Sequence, residues 1–132
     1  RLVQIWVEDL AHRVVIERGT KRLRVLRGDT VVLEEQVAVG TPRTPTPLGD
    51  FFIDAIVVNP GGVYGAYQLS VAGFSDVLMR FGGGIGQIAI HGTNAPQLIG
   101  GEVSNGCIRM RNDAIKRVAA LTPLGTPVTI VA

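Results

Sequence analysis

The chain has 132 residues and a mass of 14.0 kDa, which suits one domain, and we expect residues 1–132 to form a single one. An apolar fraction of 46% with 18% charged residues excludes intrinsic disorder, and a formal net charge of +2 argues against a broad nucleic-acid surface. The basic excess lies in residues 1–28, which we interpret as an exposed face of arginine-rich strands rather than a contact for a polyanion.

The first part of the chain predicts an antiparallel meander of three strands. Apolar and polar residues alternate in three segments, and short glycine-containing turns at 18–21 and 27–30 separate them. In the third segment, four apolar residues share one face of a period-two pattern, which is typical of a half-buried strand: Val31, Leu33, Val37 and Val39. The predicted strands are Arg13–Glu17, Leu23–Arg27 and Val31–Val39, with a short leading strand at Val3–Val7.

The segment Thr41–Pro47 interrupts this pattern with three prolines, so we predict an extended loop there. The charge-free stretches between residues 55 and 101 contain Asn-Pro-Gly-Gly and Gly-Gly-Gly breaks. Neither stretch is a continuous apolar run of about 20 residues, and we predict no membrane span in this chain. Strand composition returns four times, at Phe51–Val58, Tyr67–Val71, Gln87–Ile90 and Val128–Val131.

One helix is predicted near the C terminus. Asn112 is a suitable N-cap, and Asp113 suits the first turn because a carboxylate complements unpaired backbone amides. A shorter helical turn is expected at Ser75–Arg80. The predicted fold class is therefore mainly β, in one domain, with a single helix after residue 111. An apolar stripe at helical spacing marks this helix: Ile115, Val118 and Ala119. Pro123 ends it.

Cys107 is the only cysteine, so it can form no internal disulfide and no zinc cluster by itself. It follows Gly106, and Arg109 lies two residues further along. A nearby arginine lowers the pKa of a thiol, and a preceding glycine leaves space for a substrate carbonyl beside backbone amides. These features favour a nucleophile. The alternative is a buried structural cysteine between Val103 and Ile108.

His91 follows an apolar strand and opens a loop, which is a common placement for a catalytic side chain. A histidine paired with a cysteine takes the thiol proton and later protonates a leaving amine. The alternative is a buried structural histidine. His12, by contrast, lies in the basic meander and has the setting of an ordinary surface residue.

Other kinds of site lack the residues they need. Candidate metal ligands are few and scattered, so we predict no metal site. The glycine-rich segment Gly82–Gly86 lacks the Lys-Ser/Thr of a phosphate-binding loop. Asp50 with Asp54 has no supporting motif as a carboxylate pair for glycoside hydrolysis.

Two motifs in order resemble the YkuD-type L,D-transpeptidase catalytic domain. One is Ile-His-Gly-Thr-Asn at 90–94, and the other is Ser-Asn-Gly-Cys-Ile-Arg-Met at 104–110. Residues 40–51 are also similar to the family's Thr-Pro-Thr-Pro-x-Gly-x-Phe loop. The resemblance covers nearly the whole chain, and it implies a β-sandwich of mixed sheets. It also implies a helix behind residues 104–107, which we call the cysteine loop.

The resemblance implies a role for each matching residue. Cys107 would be the nucleophile, His91 its base and later its acid, and the backbone carbonyl of Gly92 the group that orients His91. Backbone amides of Asn105, Gly106 and Cys107 would form the oxyanion hole, although the family more often has histidine where this chain has Asn105. The residues expected to contact substrate are Arg109, Tyr64, Tyr67 and Ser104, the last also suited to fixing the loop through its hydroxyl.

The activity implied by the resemblance is acyl transfer on peptidoglycan. The thiolate would attack the carbonyl between the third residue and the D-alanine of a stem tetrapeptide, D-alanine would leave, and an acceptor amine would complete a crosslink between third residues. The resemblance implies no cofactor, carbapenems as inhibitors, and a location outside the bacterial cytoplasmic membrane, with any export signal or anchor beyond this chain. Two alternatives stay open: hydrolysis as an L,D-carboxypeptidase, and a non-catalytic cell-wall-binding module.

Overall fold

Strands form most of the regular structure in the computed structural model, which describes residues 11–73 and 88–132. Helix α1 spans Asn112–Leu121, and 3-10 turns lie at Gly62–Tyr64 and Pro96–Leu98. The expected strand at Val3–Val7 and helical turn at Ser75–Arg80 lie outside the described residues. In chain order the strands are β1 (His12–Glu17), β2 (Arg22–Arg27), β3 (Thr30–Gln36), β4 (Val39–Gly40), β5 (Gly49–Val58), β6 (Tyr67–Gly73), β7 (Ile88–His91), β8 (Glu102–Ser104), β9 (Ile108–Arg109) and β10 (Pro127–Val131).

Eight of these strands form one mixed sheet in the order β3-β2-β1-β10-β5-β6-β7-β9. Its β1–β10 and β7–β9 pairs are parallel, the other neighbours are antiparallel, and β4 and β8 form a separate parallel pair. Buried side chains from both ends of the large sheet join one hydrophobic core with those of α1, so the sheet curls around that core. The predicted mainly β fold with mixed sheets and a helix after the cysteine loop is confirmed.

The predicted meander forms from β1, β2 and β3, but a bulge in β3 changes which side chains it buries. Val25 pairs with Leu33 and Leu26 with Val31, so Val32 is an extra residue in β3. One extra residue reverses the alternation along a strand. Leu33 therefore packs against the core whereas Val31 is 47% exposed, and the prediction that both share one buried face is wrong.

The third strand ends at Gln36 rather than at Val39 because the chain leaves the large sheet there. The three residues Val37–Val39 donate backbone hydrogen bonds to three different segments, and all three side chains are fully buried. This crossing places β4 beside β8. It also leads the proline-rich segment after β4 toward the cysteine loop.

Helix α1 packs its apolar stripe into the core through Ala114, Ile115 and Val118. Its N-cap is Arg111, which makes no side-chain capping bond, so the predicted N-cap role of Asn112 is wrong. Asn112 is instead the first helical residue, and its side chain hydrogen-bonds to the loop that follows β7.

Candidate active site

His91 is the last residue of β7, so the sheet fixes its backbone at the point where the next loop begins. Its imidazole is buried, and Nδ1 lies 2.5 Å from the carbonyl oxygen of Gly92. A carbonyl oxygen can only accept, and we therefore assign the ring proton to Nδ1. The other ring nitrogen, Nε2, then keeps a lone pair and can accept a proton.

The loop after His91 is held in place by Asn112, for which the sequence suggested only a capping role. Its Oδ1 accepts from the amides of Thr93 and Ala66 at 3.1 Å each, and its Nδ2 donates to the Thr93 carbonyl at 3.0 Å. A Cβ on Gly92 would collide with Oδ1, so this contact requires glycine there. The amide of Thr93 and the carbonyl of Gly92 belong to one planar peptide group, so Asn112 also fixes the carbonyl that orients His91.

Cys107 lies between β8 and β9, directly before Ile108, which pairs with Ile90 of β7. Its thiol is half-buried and accepts a hydrogen bond from the backbone of Ala89. His91 is two residues beyond Ala89 on β7, and Cys107 directly precedes β9, the parallel neighbour of β7. The candidate nucleophile and base therefore lie near each other at this edge of the sheet.

Burial determines the direction of both pKa shifts in the site. It raises the pKa of the Cys107 thiol, against smaller opposing effects of the Ala89 hydrogen bond and the Arg109 charge. It lowers the pKa of His91, where the Gly92 carbonyl opposes this shift and the Arg109 charge adds to it. The expected lowering of the thiol pKa by Arg109 is thus outweighed by desolvation. At neutral pH the site holds a neutral thiol beside a neutral imidazole.

The backbone around Cys107 is fixed by the hydroxyl of Ser104. This buried hydroxyl donates to the Cys107 carbonyl at 2.5 Å and accepts from the Gly106 amide at 3.1 Å. Ser104 therefore fixes the loop, and the Gly106 amide, which was expected to be free for an oxyanion, donates to Ser104. A substrate contact for Ser104 stays a prediction. In the described part of the chain, the amides of Asn105 and Cys107 donate to no protein acceptor.

A second buried hydroxyl, that of Thr46, reaches the same loop from the proline-rich segment. Its Oγ1 lies 2.9 Å from the carbonyl oxygen of Gly106, to which it donates, and it accepts from the amide of Gly40 at 3.0 Å. Thr46 is not among the site residues that the sequence predicts, because nothing in one sequence shows that a loop some 60 residues earlier packs on the cysteine loop. The similarity to the Thr-Pro-Thr-Pro motif was the available signal.

The other residues expected to contact substrate differ in their settings. Arg109 faces His91 across the β7–β9 pair and acts electrostatically on both His91 and Cys107. The ring of Tyr64 meets the imidazole of His91 edge to face, at 5.1 Å between centroids, and is 43% exposed. Tyr67 packs its side chain against the core and approaches the site through its carbonyl, which accepts from the Gly92 amide.

Residues 11–73 and 88–132 contain no group of three His, Cys, Asp or Glu side chains that could hold a metal ion. The same residues include no helix with the length and hydropathy needed to cross a membrane.

The sequence is similar to L,D-transpeptidases over nearly its whole length. A family model described as the L,D-transpeptidase catalytic domain, YkuD, matches residues 11–130. The L,D-transpeptidase YkuD of Bacillus licheniformis is 37% identical over 123 residues, which cover 93% of this chain and 67% of that protein. The chain thus spans about two thirds of the length of this relative.

Solved structures share the fold at lower identity. The catalytic domain of an E. faecium L,D-transpeptidase has a TM-score of 0.72 at 19% identity, covering 92% of this chain and 98% of that domain. L,D-transpeptidase 3 from Mycobacterium tuberculosis, in complex with a faropenem-derived adduct, has a TM-score of 0.72 at 16% identity and covers 92% of this chain and 60% of that one.

Proposed function

The chain belongs to the YkuD family of L,D-transpeptidase catalytic domains, and we propose that it is a cysteine acyltransferase acting on peptidoglycan stem peptides. One observation carries the proposed chemistry: the Nδ1–Gly92 hydrogen bond leaves Nε2 of His91 as a base on the strand beside Cys107. A base is required there, because burial keeps the thiol protonated at neutral pH.

The reaction would proceed in two acyl-transfer steps. His91 Nε2 takes the thiol proton as Cys107 Sγ attacks the carbonyl between the third residue and D-alanine. The tetrahedral oxyanion is stabilised by the amides of Cys107 and Asn105, which have no acceptor within the described chain. As the C–N bond breaks, His91 returns the proton to the departing amine of D-alanine, and a thioester to Cys107 remains.

The second step transfers the acyl group to an acceptor. The amine of a neighbouring stem attacks the thioester carbonyl, and His91 takes the proton from that amine. As the C–S bond breaks, His91 returns the proton to the Cys107 sulfur and the thiol is restored. Arg109 contributes a positive charge beside the reacting groups, and Tyr64 forms an exposed wall next to His91. Action on peptidoglycan places the protein outside the cytoplasmic membrane of a bacterium.

Incubation with a disaccharide-tetrapeptide, followed by mass spectrometry, tests this proposal. We expect release of D-alanine and a dimer linked through third residues. Release of D-alanine with only a tripeptide product would identify an L,D-carboxypeptidase instead. No reaction at any acceptor concentration would favour a non-catalytic wall-binding module.

Cys107→Ala tests the nucleophile separately. A solved L,D-transpeptidase of the same fold carries a faropenem-derived adduct, and the family resemblance implies carbapenems as inhibitors. The intact mass of this chain should therefore rise by one drug equivalent after exposure to a carbapenem. The increment and the turnover of stem peptide should both vanish in Cys107→Ala, while the circular dichroism spectrum stays that of the wild type. His12→Gln, in a strand outside the site, should acylate normally. An adduct on Cys107→Ala would place the nucleophile elsewhere.

A further inference from the structure

Thr46 connects the proline-rich segment to the cysteine loop through one buried hydroxyl. The residue is fully buried, and its Oγ1 both donates to the Gly106 carbonyl and accepts from the Gly40 amide. Its own carbonyl accepts from the guanidinium of Arg18 at 2.8 Å, which anchors its backbone to the end of β1. The hydroxyl is therefore held at a fixed point in the interior.

The Gly106 carbonyl and the Cys107 amide are two ends of one planar peptide group. Because the group is rigid, a hydrogen bond that holds the carbonyl oxygen also sets the direction of the N–H on the opposite side. A donor on the carbonyl also polarises the group, which makes the N–H a stronger donor. Among the described residues, the Cys107 N–H donates to no acceptor.

We propose that Thr46 is a positioning residue for the oxyanion hole, acting through the peptide group between Gly106 and Cys107. The proposal rests on the proposed function, because only an acyl transfer builds negative charge on a carbonyl oxygen at this point. Ser104 holds the peptide groups on either side of this one, and it belongs to the same loop. Thr46 contacts the Gly106 carbonyl from outside the loop, and its hydroxyl also accepts from the Gly40 amide of β4.

Two reactions of the same thiol separate positioning from a general structural role. Acylation of Cys107 by imipenem passes through a tetrahedral oxyanion and needs the hole, whereas alkylation by iodoacetamide is a direct displacement without one. Both rates are measured at one pH for the wild type, Thr46→Val, Thr46→Ala, Thr46→Ser and Thr122→Val. The last is a matched control, since Thr122 is also fully buried and its hydroxyl donates to the Val118 carbonyl in α1, away from the loop.

Thr46→Val keeps the shape of the side chain but removes the hydroxyl. We expect its acylation rate to fall about 10- to 100-fold, less than the 10²–10³ typical of deleting an oxyanion donor outright. Its alkylation rate should stay within about threefold of the wild type, because the thiol is unchanged. Thr46→Ser restores the hydroxyl and should recover acylation, and Thr122→Val should change neither rate.

Several outcomes overturn the proposal. Equal losses in acylation and alkylation would mean that Thr46 merely supports the loop, and an undiminished acylation rate would mean that other contacts fix the peptide group. If neither Thr46→Val nor Thr46→Ala folds, the hydroxyl serves the fold rather than the hole. A wild-type chain that is alkylated but never acylated contradicts the proposed function first, and the role of Thr46 with it.

Discussion

Cys107 and His91 are neutral together at neutral pH, because burial disfavours the thiolate and the imidazolium alike. A thiolate–imidazolium ion pair that waits for substrate would need the opposite shifts. The thiol proton is therefore transferred to His91 during the attack on the substrate carbonyl. The acylation rate should follow the fraction of His91 that is neutral. The Gly92 carbonyl keeps the proton on Nδ1 and so presents Nε2 to the thiol.

His91→Gln should lower the acylation rate near neutral pH by about 10²–10⁴-fold, the usual contribution of a positioned acid–base group. In the wild type, burial lowers the His91 pKa, so the rate should hold through the ordinary histidine range near 6.5 and fall only at lower pH. Raising the pH should partly rescue the variant as the thiol ionises directly, and because burial raises the pKa of Cys107 this rescue should begin only above the ordinary thiol range. Stopped-flow acylation over this pH range measures both effects, with His12→Gln as the control; equal losses in both variants would contradict the assignment.

The lowered pKa of His91 also predicts an acid-sensitive stability. The unfolded chain binds a proton at His91 more readily than the folded one, so stability present above pH 6.5 is lost as pH falls from there through the folded pKa. Urea unfolding at pH 7.5 and at pH 5 should show this loss for the wild type and His12→Gln. His91→Gln should lose less stability between the two pH values, and an identical loss would show that the buried imidazole does not contribute.

At the scale of elements, the site depends on a loop that has no regular structure of its own. The proline-rich segment turns back after β4 and places two threonine hydroxyls on the cysteine loop: Thr46 on the Gly106 carbonyl and Thr44 on the Ser104 carbonyl. Gly40 permits this, because its missing side chain leaves space for the returning backbone. The prolines limit the conformations open to the segment before it folds.

Gly40→Ala should destabilise the chain by about 3 kcal/mol or more, because the added Cβ would collide with the backbone of Thr44, which cannot shift like a flexible side chain. Gly19→Ala is the matched control, since its Cβ would meet only ordinary contacts, the nearest at 3.6 Å. Urea unfolding of both variants measures the difference. A Gly40→Ala chain as stable as Gly19→Ala would mean that the loop does not pack on β4 as described.

For the whole molecule, the position of β10 decides how the sheet holds together. This strand joins β1 on one side and β5 on the other, although β1 lies more than 100 residues earlier in the chain. It thereby connects the N-terminal meander to the strands that carry the site. Val128 and Ile130 are buried in the shared core.

Ile130→Ala should lower the free energy of unfolding by about 2–5 kcal/mol, the cost of truncating a fully buried aliphatic side chain. Because the meander and the site share one core, the loss should appear in a single unfolding transition. Backbone circular dichroism and the rate of Cys107 alkylation should both report that transition. Val131→Ala, 39% exposed on the same strand, should cost much less. Two separate transitions would show that the halves of the sheet unfold independently.

Much of the fold and the identity of the candidate pair could be predicted from local sequence. Alternation placed the strands of the meander, three prolines placed a loop, and an apolar stripe placed α1, because each is a property of neighbouring residues. His91 and Cys107 stood out by residue type and by similarity to two family motifs. Their catalytic roles remain predictions that the experiments above test.

The tertiary structure alone decided which groups act on that pair. The exposure of Val31 depends on a bulge in its pairing with β2, and the pKa of Cys107 depends on a burial that outweighs the charge of Arg109. The contacts of Asn112 with Thr93, and of Thr46 with the cysteine loop, join residues far apart in the chain. Local sequence determines backbone preference and the chemical groups available, whereas desolvation and hydrogen-bond partners are set only when distant segments come together.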